Sequence, residues 1–366
     1  MVTLQGVSFG LSTQAVGAEG LSDLALYEEL LSDVAFGRSL GYRDVWLIEH
    51  HFSDYYPTPD PLLLLSHIAA RYPDLSLGTM VLVTPWYNPL RMAEQIAMLS
   101  NLTHGHLHLG LGRGTAKLEY DAFDIDMSEA RERFKENYEI VSHALAGEVV
   151  DYHGQHYRVR RAVPVRPTAV RERVTLYGAV ASTESGGVMG ALGVAPISVA
   201  QFPLHIHRKN LDEWRQQMRL LGKSVEGPKV LMAHVYVADT DEEADVCARE
   251  HFSRYFRSQV KHYETEMNYW KDIKGYESHS RFFSNMQKLT EPQNMGPWLD
   301  LQLVGSPATV IKRLQAYIEL GYNHFIVHIS TPGVPRAVRH EVHRKFATRV
   351  APEFAPSLPA VAAGAS

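Results

Sequence analysis

One cysteine, Cys247, occurs among the 366 residues. A lone thiol closes no intramolecular disulfide and builds no thiolate metal cluster, and it fits a reducing compartment. Long apolar runs are missing too. None approaches the roughly 20 residues that a membrane-spanning helix needs. Residues 1–20 show no basic start followed by an apolar block, so no secretory signal is read. These absences predict a cytoplasmic protein with no membrane association. An excess of positive charge is also lacking. Lys and Arg number 36 against 41 Asp and Glu, for a net charge of −5, and the basic residues are scattered. No nucleic-acid surface is expected from such a pattern. No internal repeat and no Pro/Gly-rich linker divides the chain.

What is present has the composition of a soluble globular protein, 45% hydrophobic and 21% charged. The length suits one large α/β domain or two ordinary ones. Strand-like and helix-like stretches alternate almost to the end. "VSFGLST", "DVWLIEH", "LSLGTMVLV" and "LHLGLGRG" read as strands. Between them lie amphipathic stretches with helix signals. Asp60-Pro61 and Asn88-Pro89 read as N-cap followed by proline, and Gly41 reads as a stop. A hairpin is read at "VVDYHGQHYRV", after which the alternation resumes. Eight strand–helix units predict a closed parallel barrel over residues 1–350, one domain, with a disordered tail over 351–366. The competing open sheet wants a glycine fingerprint after its first strand, and "FGLSTQAVG" supplies none. Residues 271–301 have weak periodicity and read as a long lid-like loop.

In such a barrel, function sits at the C-terminal ends of the strands. "GLGRGT" lacks the third glycine of a dinucleotide fingerprint, since Thr115 stands there. Arg113 can instead grip a phosphate bidentately, and Gly112 and Gly114 let backbone approach a ligand. The plainer alternative is a surface arginine in a turn. Ser182, Thr183 and Ser185 open a helix after the fifth strand, where anions bind readily. Ordinary N-capping explains them equally. "HGHLHLG" spaces His104, His106 and His108 two apart, but no carboxylate lies nearby, so no metal is expected. At the end of the second strand stands His50, followed by His51. An imidazole there can move a proton near neutral pH. The alternative is a structural histidine satisfied by Glu49 or Asp54.

Together "WLIEHHF", "LGTMVLV", "NPLRMAEQIAMLSNLTHGHLHLGLGRG" and "LVGSP" resemble, in order and spacing, the bacterial luciferase-like flavin monooxygenases, most closely the luciferase α subunit. The resemblance implies a (β/α)8 TIM barrel binding reduced FMN. It makes His50 the catalytic histidine. It places a non-prolyl cis peptide and a β-bulge at Met80 and Val81, under the isoalloxazine. It sets Gly112 against the flavin and gives the phosphate to Arg113, Thr115, Ser182 and Thr183. Further cofactor contacts fall at Asn88, Val180 and Ala181. Ala179 and Val180 replace a Glu-Ser pair of luciferase, Ala116 a tyrosine, and Asn88 a histidine, so neither the substrate nor light emission carries over. His51 is expected to face outward, near a subunit contact and Glu94.

The activity so implied is two-component. A separate flavin reductase supplies FMNH2, and O2 is the co-substrate. A peroxyflavin then oxygenates a small organic substrate by Baeyer–Villiger or aldehyde oxidation, or by hydroxylation. A deazaflavin-dependent oxidoreductase and a non-catalytic flavin-binding barrel are the alternatives. A homodimer is expected through Leu62–Leu65 and Met92–Leu99.

Overall fold

The computed structural model describes residues 6–354. Its elements run β1 (Ser8–Ser12), α1 (Asp23–Ser39), β2 (Asp44–Leu47), α2 (Pro61–Arg71), β3 (Ser76–Val83), α3 (Pro89–Leu102), β4 (Leu107–Gly112), α4 (Lys117–Ala122) and α5 (Ala130–Leu145). A hairpin follows, β5 (Val149–His153) and β6 (Arg158–Pro164). Then come β7 (Val174–Ala179), α6 (Thr183–Ala191), β8 (Ala195–Val199), α7 (Leu204–Leu220), β9 (Val230–Val237) and α8 (Asp241–Tyr263). The chain ends with α9 (Glu277–Met286), α10 (Gly296–Leu299), β10 (Leu303–Gly305), α11 (Pro307–Leu320), β11 (His324–His328) and α12 (Arg336–Arg349). The strand order is β10-β9-β11-β1-β2-β3-β4-β7-β8, and β9 also pairs with β8. The fold is therefore the (β/α)8 TIM barrel that the alternation predicts, with the inserted hairpin in place.

Local chemistry sets the helix starts. Ser22, Asp60, Asn88, Ser182 and Ser306 each cap a helix by accepting backbone N–H groups, and proline follows at Pro61, Pro89 and Pro307. Buried strands on both faces read as continuous apolar runs. All eight residues of β9, "VLMAHVYV", are buried.

Residues 47–177 and 258–287 form one compact unit, and the remaining described residues form another. In the latter, β1 pairs in parallel with β11, Ser8 opposite His324 through Ser12 opposite His328. β11 pairs with β9 from His324 opposite Val230 to His328 opposite His234. Arg339, fully buried on α12, ties α1 by Nε to Asp33 at 2.7 Å and by Nη2 to Glu29 at 2.8 Å. In the former unit, β3 pairs in parallel with β4, and the register slips between Thr79 and Leu82.

Three expectations need correction. Residues 269–299 are short helical turns rather than a loop, because Trp270, Tyr276, Phe283 and Met286 are buried and anchor them. The packed body runs past 350. A short turn at Ala351–Glu353 leads to Phe354, whose ring meets Phe9 edge-on at 6.1 Å. The rest of the expected tail lies outside the described residues. The apolar positions expected to make a dimer surface are mostly spent inside the protomer. Leu62, Leu65, Met92, Ile96 and Leu99 are buried, while Leu63 and Met98 stay exposed. No helix among the described residues is long and apolar enough to cross a membrane.

Candidate active site

His50 lies three residues beyond the end of β2, where it bridges to Thr58. Its ring is packed by Tyr55 at 4.7 Å, His262 at 4.7 Å and Tyr263 at 5.9 Å between centroids. Nδ1 lies 3.1 Å from Oε1 of Glu119, and Nε2 lies 3.5 Å from the Tyr263 hydroxyl. Its side chain keeps 12% of its exposure, against 1% for Glu119 and none for His262. Neither Glu49 nor Asp54 is its partner. The same Glu119 oxygen lies 3.3 Å from His262 Nε2 and accepts the His51 N–H at 2.9 Å. Burial pushes the Glu119 carboxyl up. Hydrogen bonds from His262 and His50, and their charge, outweigh it and hold the group well below the usual carboxylate range. His262 is pushed down from its ordinary value, chiefly by burial. Its Nδ1 meets Ser53 Oγ at 2.7 Å. The ligand atoms of His50, Glu119 and His262 all lie within 4.8 Å of one another, close enough to hold a metal ion.

His51 is not an outward-facing residue. It is 9% exposed, and its Nε2 bonds Glu49 at 3.1 Å, while Glu94 pairs with Arg91. The strand ends at Leu47, so strict alternation no longer governs His50 and His51. Glu49 is fully buried. It also accepts from the Val83 N–H at 2.9 Å and the Tyr87 hydroxyl at 3.1 Å. Burial pushes its carboxyl up to about 7 despite those bonds.

At the end of β4, the loop Arg113–Thr115 is held in an unusual way. Three successive carbonyls accept from three aromatic side chains. Tyr120 donates to Arg113 O, Tyr276 to Gly114 O at 2.8 Å, and Trp270 Nε1 to Thr115 O at 2.9 Å. Burial raises both tyrosine pKa values, so both hydroxyls keep the protons they donate. A trans peptide points its N–H away from its C=O. The N–H groups of Gly114, Thr115 and Ala116 therefore each point away from the carbonyl that an aromatic side chain holds. Gly114 has φ +75°, and a Cβ there would meet Val83 Cγ1 at 2.6 Å. Arg113 lies 4.5 Å over the Tyr276 ring and bonds Gly275 O through Nη2 at 3.2 Å. Its Nη1 is buried with no protein partner. A buried guanidinium nitrogen left open fits an anionic oxygen such as a phosphate's.

The remaining predicted positions fall as follows. The Met80–Val81 peptide is cis, and the register slip brackets it. Gly112 ends β4, and Asn88 spends its side-chain oxygen capping α3, on Leu90 N and Arg91 N. In the other compact unit, Val180 and Ala181 join β7 to α6. Val180 N–H donates to Ile197 O at 2.8 Å. Ser182 and Ser185 form a capping box, with Ser185 Oγ also taking the Ala181 N–H at 3.0 Å. The Thr183 hydroxyl donates to Asn210 at 3.2 Å. The hydroxyls of Ser182, Ser185 and Thr183 are thus engaged within the protein, as the capping alternative anticipates. His106 and His108 bond the hydroxyls of Thr175 and Tyr177 at 2.8 and 3.0 Å.

Sequence reasoning missed Glu119, His262, Trp270 and Tyr276. Glu119 alone carried a signal, since it follows a strand end by few residues. Tyr276 lies inside the stretch read as a loop, and Trp270 borders it.

The luciferase-like monooxygenase family matches residues 8–324. The oxygenase component of the flavin-dependent trigonelline monooxygenase of Acinetobacter baylyi is 24% identical over 322 residues, 84% of each chain. Among solved structures, the monooxygenase RslO1 of Streptomyces bottropensis superposes with a TM-score of 0.79 at 24% identity, covering 95% of this chain and all of that one. The oxygenating constituent of 3,6-diketocamphane monooxygenase of Pseudomonas putida, a type II Baeyer–Villiger monooxygenase solved with FMN, gives 0.74 at 17%, covering 95% and 99%. The match spans most of the chain, and the barrel accords with it: the protein belongs to the luciferase-like monooxygenase family of flavin-dependent enzymes.

Proposed function

We propose that the protein is the oxygenase of a two-component system. In this reading it takes reduced FMN from a separate reductase, uses O2, and oxygenates a small organic molecule, most simply a carbonyl compound. The observation that carries the FMN assignment is the Arg113–Thr115 loop, with an open guanidinium nitrogen and carbonyls held by Trp270 and Tyr276. Reduced FMN, when bound, supplies the two electrons that activate O2. Every other part of the work belongs to the chain. Arg113 and the N–H groups of Gly114, Thr115 and Ala116 hold the phosphate. Met80, Val81 and Gly112 line the ring side. The His50 imidazole takes or returns a proton. Tyr55 and Tyr263 pack its ring and exclude water, which otherwise diverts activated oxygen to hydrogen peroxide.

The same proposal includes a homodimer whose contact covers exposed Leu63, Met98 and Leu102, and a cytoplasmic setting that fits the lone thiol of Cys247. The test begins with anaerobic titration by reduced FMN, followed by O2 and a panel of small aldehydes and ketones. Micromolar binding and O2 uptake matched by oxygenated product are expected. Binding of a reduced deazaflavin in place of FMN, with turnover in the absence of O2, would refute the reading.

A further inference from the structure

We propose that Glu119, with His262 beside it, is a positioning residue that fixes the proton of His50 on Nδ1 and supplies the counter-charge when the ring becomes protonated. This rests on the reading above that His50 handles the proton.

The argument is one of donors and acceptors. An ionised carboxylate only accepts hydrogen bonds. Oε1 of Glu119 faces His50 Nδ1 at 3.1 Å in hydrogen-bond geometry, so that nitrogen carries a hydrogen; His262 Nε2 lies 3.3 Å from the same oxygen but outside that geometry. The His51 N–H donates to the same oxygen at 2.9 Å and fixes its place. His262 is fully buried and has its other nitrogen, Nδ1, on the Ser53 hydroxyl at 2.7 Å. Burial pushes His262 down from its ordinary value, so its ring is neutral and leaves the carboxylate's charge to His50. Neutral His50 then has one bare nitrogen, Nε2. It lies on the side of the Tyr263 hydroxyl, and this ring is the only one of the two with exposure left. A buried carboxylate behind an imidazole selects its tautomer and stabilises its cation, whatever the fold. Without Glu119, the two tautomers of His50 would compete and Nε2 would often carry the proton it needs to accept.

The test is made on ligand-free full-length protein labelled with 15N-histidine. Long-range proton–nitrogen correlations report which ring nitrogen bears hydrogen, and His50 is assigned by the signals lost in His50→Gln. Wild type should show the Nδ1–H form. Glu119→Gln retains an acceptor oxygen and should keep that tautomer, yet lose at least tenfold in kcat with supplied reduced FMN. Glu119→Leu should shift His50 toward Nε2–H. The affinity for reduced FMN should stay within twofold in both. An Nε2–H form in wild type overturns the inference, and this result does not depend on any variant folding. So does an unchanged tautomer in Glu119→Leu, or stoichiometric zinc found on the trio by elemental analysis. If the tautomers behave as stated but His50→Gln turns over at full rate, the positioning stands and the proton role of His50 falls. If His50→Gln is dead while Glu119→Gln matches wild type, the positioning falls alone.

Discussion

Replacing Glu49 by glutamine should make the protein more stable at neutral pH relative to wild type, and the gain should depend on pH in a defined way. Glu49 is fully buried and its carboxyl ionises only near 7, against 4.5 in an unfolded chain. Between those values the folded state binds the extra proton. Stability from this group is therefore complete below 4.5 and is lost as pH rises to about 7. A gap of about 2.5 pH units at ~1.36 kcal/mol each amounts to about 3 kcal/mol. Glutamine keeps an oxygen for the Val83 N–H and the Tyr87 hydroxyl and carries no charge to bury. The variant-minus-wild-type difference in unfolding free energy should climb by about 3 kcal/mol from pH 4.5 to 7.5 and then level off. For 366 residues, at about 2.1 cal/mol/K each, this is a Tm difference that grows by about 4 °C. Any constant offset from imperfect packing cancels in the slope. Urea unfolding of both proteins at half-unit pH steps measures it. Parallel curves across that range would mean Glu49 ionises like an ordinary carboxyl, and a falling difference would mean the charge is favoured by its site.

Three further outcomes can be checked. Arg113→Ala should weaken FMN binding by about 10–100-fold, the worth of a charge-assisted hydrogen bond or two, and leave riboflavin affinity unchanged because riboflavin has no phosphate; fluorescence titration separates the two. Ser185→Ala removes the acceptor of the Ala181 and Ser182 N–H groups and should cost about 1 kcal/mol in urea unfolding. Arg339→Leu leaves the buried Asp33 carboxylate with His340, at 2.9 Å, as its remaining charged partner and should cost about 3 kcal/mol, with part of that recovered when Asp33→Asn is added; the double-mutant cycle reads the coupling directly.

The barrel was legible because strands buried on both faces and helices with capped starts leave local patterns, such as "LSLGTMVLV" and Asn88-Pro89. His50 and Arg113 were legible as strand-end residues. Their partners were not, because Glu119 lies 69 residues from His50 and Tyr276 lies 162 from Gly114, and contact at such separations leaves no periodicity. The error at His51 has a local cause. Alternation was extended past Leu47, where the strand stops, and the ring turned inward to Glu49 instead. The surface expected for a dimer was drawn too wide for a related reason: a run such as "PLLLL" does not say which of its leucines the protomer itself covers.

The clamp on the Arg113–Thr115 loop has a consequence for how the chain is made. Trp270 and Tyr276 belong to a stretch, 258–287, that is separated from 47–177 by the whole of 178–257. Their acceptors stand 155 and 162 residues earlier. At about 5–20 residues per second, the loop leaves the ribosome roughly ten to thirty seconds before the side chains that hold its carbonyls exist. During that interval the three carbonyls lack two of their donors, and a chain stopped before 258 cannot acquire them. The order of this loop is thus a late event of synthesis, reached only when the chain returns to complete a unit it had left open.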